Sequence, residues 1–314
     1  MKRLAIVVPC YNEEEVLKET NKHLLDLLNK LISLNKVSKD SFIMYVNDGS
    51  KDKTWEIINE LYNTSNNVHG LNLAGNKGHQ NALFAGLMQA KEEVDVTISI
   101  DADMQDDINA IELMIDKYNL GNDIVYGVRD NRESDSFFKR FTAQTFYKVM
   151  SVLGAKSIYN HADFRLMSKR SLDELSLYSE AHLYLRGIAL DLGFKTDCVY
   201  YARSPRFAGE SKYPLRKMIS FALNGITSFS IKPLTLILNM GILLIIASIL
   251  FVIYSLIQHF NGHTISGWTS TFASIWFLGG VQLASIGVIG TYLGKNFVET
   301  KKRPRYFIES YIKH

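Results

Sequence analysis

The chain has 314 residues, enough for one sizeable domain with an appendage, and its formal net charge of +3 is too small to point to nucleic acid. Its two cysteines, Cys10 and Cys198, supply neither a disulfide framework nor a metal cluster, which fits a reducing compartment. Hydrophobic residues make up 47% of the chain, and their uneven distribution matters more than their number.

The first 130 residues alternate between strand and helix patterns. Leu4 to Val8 reads as a strand. Asn12 with Glu15 three residues on resembles a capping box, opening a helix through Leu17, Leu24, Leu28 and Leu31. Phe42 to Val46 is a second strand, Thr54 to Tyr62 a helix, Val68 to Leu73 a third strand and Gln80 to Ala90 a helix. Val94 to Ile100 is rich in β-branched residues, as in a strand covered on both faces, and Ile124 to Tyr126 gives one more short strand. This order predicts an α/β layer structure with a mostly parallel sheet.

The central strand ends in Asp101-Ala102-Asp103-Met104-Gln105. Ligands of parallel sheets bind beyond the carboxyl ends of the strands, so these acids are delivered to a binding edge. Asp101 and Asp103, two residues apart, share one face if the backbone stays extended, and Gln105 adds a neutral oxygen at the same spacing. A hard divalent cation held by one or two carboxylates and by phosphate oxygens would fit such a set. Asp-x-Asp also occurs by chance in soluble loops, so the motif acquires meaning only from its neighbours.

No charge falls between Leu234 and Ile257, or between Thr271 and Leu293. Each stretch exceeds the roughly 20 residues needed to cross a bilayer core, predicting two transmembrane helices joined by a loop around Gln258 to Ser270. Lys212, Arg216, Lys217 and Lys232 precede this hairpin and Lys295, Lys301, Lys302, Arg303 and Arg305 follow it, while the loop carries no Lys or Arg. By the positive-inside rule the amino-terminal region and the tail face the cytoplasm, making a multi-pass protein of the plasma membrane. The apolar run after Met1-Lys2-Arg3 stops at Pro9, too short for a signal peptide. Leu215, Met218, Ile219, Ala222, Ile226 and Phe229 have helical spacing beside basic residues, as in a helix lying in the membrane interface.

Four loops follow predicted strands: Pro9 to Glu14, Asn47 to Asp52, Gly75 to Gly78 and Asp101 to Asp106. In order and spacing they resemble the glycosyltransferases of family two, which have the GT-A fold. Gly127 to Arg132, Phe137 to Arg140 and Asp163 to Ser168 resemble segments of the polyprenyl-phosphate branch, which includes bactoprenol glucosyltransferases and dolichol-phosphate mannose synthases. The resemblance implies a nucleotide site at Pro9, Tyr11, Glu13, Asp48, Lys77 and Asp101, with Tyr11 packing on the base. It implies a metal, Mg²⁺ or Mn²⁺, at Asp103 with Gln105 as accessory ligand. Arg129, Arg203, Arg206, Ser211 and Lys212 would receive the acceptor phosphate, and Asp163 would reach the sugar or the reacting centre. Asp163 can equally be a structural ion-pair partner of its neighbours. His79 and His161 lack the partner spacing of a zinc site and receive no role. Lys77 stands where relatives often carry an aromatic residue, and Asp107-Ile108-Asn109 where they carry prolines.

The expected organisation is a cytoplasmic catalytic domain over 1–212, an interfacial helix over 213–232, a two-helix transmembrane hairpin over 233–294 and a basic cytoplasmic tail over 295–314. The expected activity moves one sugar from a nucleoside diphosphate, UDP-glucose or a UDP-N-acetylhexosamine, to a polyprenyl phosphate such as undecaprenyl phosphate, with inversion, as a lipid-linked donor for cell-envelope glycans. The rivals are a mannose synthase using GDP-mannose, a processive polysaccharide synthase, whose Gln-x-x-Arg-Trp motif is missing, and a catalytically silent lipid-binding scaffold. Homo-oligomerisation is left open by the sequence.

Overall fold

The computed structural model describes residues 1–130, 161–180, 184–202 and 268–314, with isolated positions between 234 and 253. In chain order the elements are β1 (Leu4–Cys10), α1 (Leu17–Ser33), β2 (Phe42–Asn47), α2 (Thr54–Thr64), β3 (Val68–Leu73), α3 (His79–Ala90), β4 (Val96–Ser99) and α4 (Ala110–Asn119). They continue with β5 (Ile124–Arg129), β6 (His161–Ser168), α5 (Lys169–Ser176), α6 (Leu185–Asp191), β7 (Thr196–Tyr201), α7 (Trp268–Thr300) and β8 (Ile308–Ile312). The eight strands form one sheet in the order β7-β5-β6-β4-β1-β2-β3-β8.

Strands β3, β2, β1 and β4 run parallel, as the alternating pattern requires. Strand β6 enters antiparallel between β4 and β5, and β7 returns parallel to β5. All seven residues of β1 are buried, because helices cover both faces of the sheet. Side chains alternate across a strand. Leu4, Ile6 and Val8 therefore share one core cluster with Leu17, Leu24, Leu28 and Leu31 of α1, while Val7 faces α3. Helix α3 lies so close to the sheet that a Cβ on Gly86 would stand 2.5 Å from Val7 Cγ1 and 2.6 Å from Val46 Cγ2. Only a residue without a side chain fits there.

The structure departs from the sequence reading at three places. Helix α1 begins at Leu17, with Val16 at the N-cap position and no side-chain cap. Asn12 sits instead in a left-handed turn at φ 55, where its Oδ1 accepts from the Lys51 N–H at 2.9 Å. The apparent capping box is a contact between two loops. Strand β6 and the helices after it had no strong local period and were not foreseen. Finally, the segment expected to be a basic tail supplies β8, which pairs antiparallel with β3 from Gly70↔Ile312 to Leu73↔Ile308. Its partner lies more than 200 residues away in sequence, a pairing that no local pattern can announce.

That carboxyl-terminal strand is held by side chains as well as by its ladder. The Tyr311 hydroxyl donates to Glu93 Oε1 at 2.7 Å and lies 3.2 Å from His69 Nδ1. Tyr62 stacks on His314 at 4.1 Å, and Asn72 Nδ2 donates to Glu309 Oε2 at 2.8 Å. Arg305 donates to the Tyr178 carbonyl and lies over the Phe84 ring of α3.

Among the described residues one helix, α7, contains a segment long and apolar enough to cross a membrane, Phe277–Thr300. Leu283, Ile286, Ile289 and Leu293 on it are exposed. The positions described between 234 and 253 are helical. The rest of the first expected span, the connecting loop up to residue 267 and the expected interfacial helix over 213–232 lie outside the described residues.

Replacing Gly86 by Ala should destabilise the protein by about 1–3 kcal/mol, since the methyl must push Val7 and Val46 apart in a close-packed layer. Thermal unfolding of the detergent-solubilised chain checks this, and an unchanged midpoint would show that α3 can shift freely.

Candidate active site

Four loops meet at the carboxyl edge of the parallel strands. The loop after β1 is tied to the loop after β2 by Asn12 N–H to Ser50 Oγ at 3.0 Å and Glu13 N–H to Thr54 Oγ1 at 2.9 Å. Pro9 is the penultimate residue of β1, in register with Val46 of β2. Tyr11 beyond it is 40% exposed, a large aromatic face left open to this edge.

Asp48 follows β2 and is buried, 2% exposed. Its Oδ1 accepts from the Lys77 N–H at 2.7 Å and its Oδ2 from the Gly78 N–H at 2.9 Å. Burial pushes its carboxyl above the usual range, and the two N–H groups work against that rise. Gly49 stands at φ +62, and a Cβ there would meet Asn76 N at 2.5 Å. Backbone packs on backbone at this point, so the Asp48 loop determines where Lys77 lies.

Asp101, Asp103 and Gln105 follow β4. Thr20 Oγ1 of α1 donates to the Ala102 carbonyl at 2.8 Å, anchoring the turn from below. Met104 takes a left-handed φ of 54, and the Gln105 N–H donates to Asp103 Oδ1 at 3.2 Å. Asp101 and Asp103 are both partly exposed, flanking the buried Ala102. Asp106, further on, is buried and engaged elsewhere, since its Oδ1 accepts from Tyr201 Oη at 2.6 Å and from Arg129 Nη2 at 3.0 Å. Arg129, one of the expected phosphate-binding residues, is thus held by Asp106 at the ends of β5 and β7.

Strand β6 brings Asp163 to the same edge. The residue is 4% exposed and its carboxylate is surrounded by donors. Arg186 Nε reaches Oδ1 at 3.0 Å and Nη2 reaches Oδ2 at 2.9 Å, a two-pronged pair. Gln80 Nε2 donates to Oδ2 at 3.1 Å, and His79 Nε2 lies 3.4 Å from the same oxygen. Burial alone would push this carboxyl up, yet Arg186 and His79 outweigh it and hold Asp163 well below the usual carboxylate range.

His79 Nε2 also lies 3.6 Å from Asp101 Oδ1. Burial would lower its pKa, but the hydrogen bond to Asp163 and the charges of Asp101 and Asp163 raise it to about 9. For Asp101, burial is the largest influence and raises the carboxyl; His79 opposes the rise while Asp163, Asp106 and Asp103 add to it.

The site therefore gathers Tyr11, Asp48, Lys77, Asp101, Asp103, Gln105 and Asp163, all named from the sequence. Arg203, Arg206, Ser211 and Lys212 lie outside the described residues. His79, Gln80 and Arg186 were not foreseen. His79 and Gln80 stand directly after the Gly75 to Gly78 loop, which was the only available signal; Arg186 had none. Among the described residues no group of three or more His, Cys, Asp or Glu side chains forms a ready-made metal cage. The hard oxygen donors Asp103 and Gln105 nevertheless suit a divalent cation that takes its remaining ligands from phosphates and water.

A parallel sheet with an antiparallel strand, β6, inserted beside β4, and an acid-rich loop at the carboxyl end of β4, is the arrangement of the GT-A fold. The chain belongs to glycosyltransferase family 2: the model for "Glycosyl transferase family 2" matches residues 5–176. It is 54% identical over 306 residues to the uncharacterized glycosyltransferase YkoT of Bacillus subtilis (strain 168), covering 98% of this chain and 91% of that one. It is 39% identical over 311 residues to the prophage bactoprenol glucosyl transferase homolog of Escherichia coli (strain K12), covering 98% of each chain. The bactoprenol glucosyl transferase of Shigella phage SfX is 39% identical over 310 residues, covering 98% of this chain and 99% of that one. The resemblance to the polyprenyl-phosphate branch read from the motifs is borne out, and it extends through the apolar carboxyl-terminal region.

Because the folded pKa of His79 is raised, the stability this cation adds is complete below its ordinary value of 6.5 and is lost as pH rises through about 9. The difference in melting temperature between wild type and His79→Gln should accordingly shrink across that window. A difference that stays constant up to about pH 10, past the raised pKa, would contradict a bridging imidazolium.

Proposed function

We propose that the protein is a membrane-bound, inverting glycosyltransferase that moves glucose from UDP-glucose to a polyprenyl phosphate, undecaprenyl phosphate in the first instance. One observation carries this reading: Asp48, Asp101 and Asp103 converge at one sheet edge in a chain that resembles bactoprenol glucosyl transferases from end to end. UDP-N-acetylhexosamines also remain within the chemistry of the site, since nothing in these acids selects the sugar.

In this reading the loop from Pro9 to Glu13 receives the base, with Tyr11 stacking on it and the Asp48 loop closing the other side. Asp101 faces the ribose and the sugar. Asp103 and Gln105 would hold a divalent cation, which neutralises charge on the departing diphosphate when bound. The attacking group is the acceptor phosphate. Its second ionisation lies near about pH 6, by analogy with phosphorylated side chains, so its oxygen is already largely deprotonated at neutral pH. No side chain need remove a proton. Asp163 agrees with that view, because Arg186, Gln80 and His79 occupy both its oxygens and hold it ionised. Attack on the anomeric carbon from the face opposite the diphosphate inverts the configuration.

Arg203, Arg206, Ser211 and Lys212 are proposed to meet the acceptor phosphate just before the interfacial helix, with Arg129 at the rim. The proposed topology has two spans, with the sheet domain and both termini in the cytoplasm.

The test is to incubate the purified full-length protein with undecaprenyl phosphate and a panel of labelled sugar nucleotides, then extract the lipid. Label should enter the lipid fraction from UDP-glucose; its failure to do so from any donor would overturn the proposal. Asp103→Asn should lower turnover by about 100-fold or more without unfolding the chain. Excess chelator should silence the wild type, with recovery on adding Mg²⁺ or Mn²⁺, and full activity in chelator would remove the metal from the scheme.

For the acceptor side, Arg206→Ala and Lys212→Ala should raise the apparent KM for the lipid more than that for the nucleotide sugar. The reverse order would place these cations at the donor.

A further inference from the structure

His79 opens α3 immediately after Gly78, whose N–H holds Asp48. Its Nε2 faces two carboxylates from distant parts of the chain, Asp101 Oδ1 of the loop after β4 at 3.6 Å and Asp163 Oδ2 of β6 at 3.4 Å. The two acids are not equally dependent on it. Asp163 is also gripped by Arg186 at 2.9 Å and by Gln80 at 3.1 Å, and Gln80 is itself fixed by the Leu185 N–H to its Oε1 at 3.1 Å. Asp101 has His79 as its one ion-pair partner among the described residues. The firmly held acid thus serves as the anchor, and the imidazole carries its position across to the other acid.

We propose that His79 is a positioning residue: the imidazole at the head of α3, braced on Asp163, sets the orientation of Asp101 at the sugar-nucleotide site. The inference rests on the glycosyl-transfer reading above, in which Asp101 faces the donor. Two carboxylates brought to one nitrogen repel unless a donor stands between them, and a strand end has several rotamers open to it. Without the bridge, Asp101 turns away from Asp163 and from the donor. Arg186 and Gln80 keep Asp163 where it is. The consequence is asymmetric: loss of His79 weakens handling of the nucleotide sugar and leaves the acceptor lipid unaffected.

Full-length wild type, His79→Leu, His79→Gln and His79→Asn are compared by steady-state kinetics in both substrates, together with UDP titrations of each protein by calorimetry. Leu should lower kcat/KM for the nucleotide sugar by about 10-fold or more, since Asp101 loses the cation facing it, with the acceptor KM unchanged. Gln places an N–H₂ group close to the position of Nε2, so it should recover most of that loss, whereas the shorter Asn should not. The His79→Leu loss should disappear in an Asp101→Asn background and persist in full in an Arg206→Ala background, since His79 is proposed to act through Asp101 and not on the acceptor. Wild-type kinetics in the Leu variant, equal activity of Gln and Asn, or multiplicative losses with Asp101→Asn would each overturn the proposal. If Leu does not accumulate as folded protein, the Gln and Asn pair decides alone. Failure of the functional reading would appear in the wild type, as label that never reaches the lipid. The UDP titrations still test His79 in that case, since weakened UDP binding in Asn but not in Gln requires no acceptor.

Discussion

Buried negative charge at the carboxyl edge of the sheet is the constraint on which the rest of this structure depends. A carboxylate taken out of water must be met by donors or it will be neutralised by a proton. Each acid of the edge is met in a different way. Asp48 is met by the backbone N–H groups of Lys77 and Gly78, Asp106 by Arg129 and Tyr201, and Asp163 by Arg186, Gln80 and His79. Meeting those demands draws in elements from distant parts of the chain. Strands β5 and β7 are pinned through Asp106, α6 through Arg186, and the head of α3 through both Asp48 and Asp163.

Charge satisfaction also sorts the acids into roles. Asp48, Asp106 and Asp163 are enclosed and fully engaged, so they shape the site. Asp101 and Asp103 stay partly exposed, and these are the two that the proposed function assigns to the donor and its cation. The enclosed acids hold the loops, while in the proposed function the open ones, with Gln105, would offer oxygen atoms to a cation and a sugar.

The carboxyl-terminal strand is a second consequence of sheet chemistry. Without β8, β3 would end the sheet with unpaired N–H and C=O groups along its outer side. Residues 308–312 cover that edge, and Gly70 leaves the space that Ile312 fills. Because β8 follows the apolar helix α7 by only a few residues, the chain is attached to the sheet both before and after its apolar segment. Arg305 and Tyr306 meet Phe84 of α3, the helix whose first residue is His79.

The amino-acid sequence by itself determined the parallel half of the fold, since β-branched runs and amphipathic helices alternate locally and need no distant information. It also marked most of the acids, because Asp101, Asp103 and Gln105 lie on one short loop and Asp48 follows a strand. What only the tertiary structure decided was how those acids are answered. Asn12 reads as a helix cap but accepts from the Lys51 N–H of another loop, and Arg129 is tied to Asp106, a partner that no local pattern names. His79 and Arg186 carry no motif of their own, and β8 no local period that names its partner. Such pairings depend on through-space distances between residues tens to hundreds of positions apart, and those distances exist only once the sheet has closed.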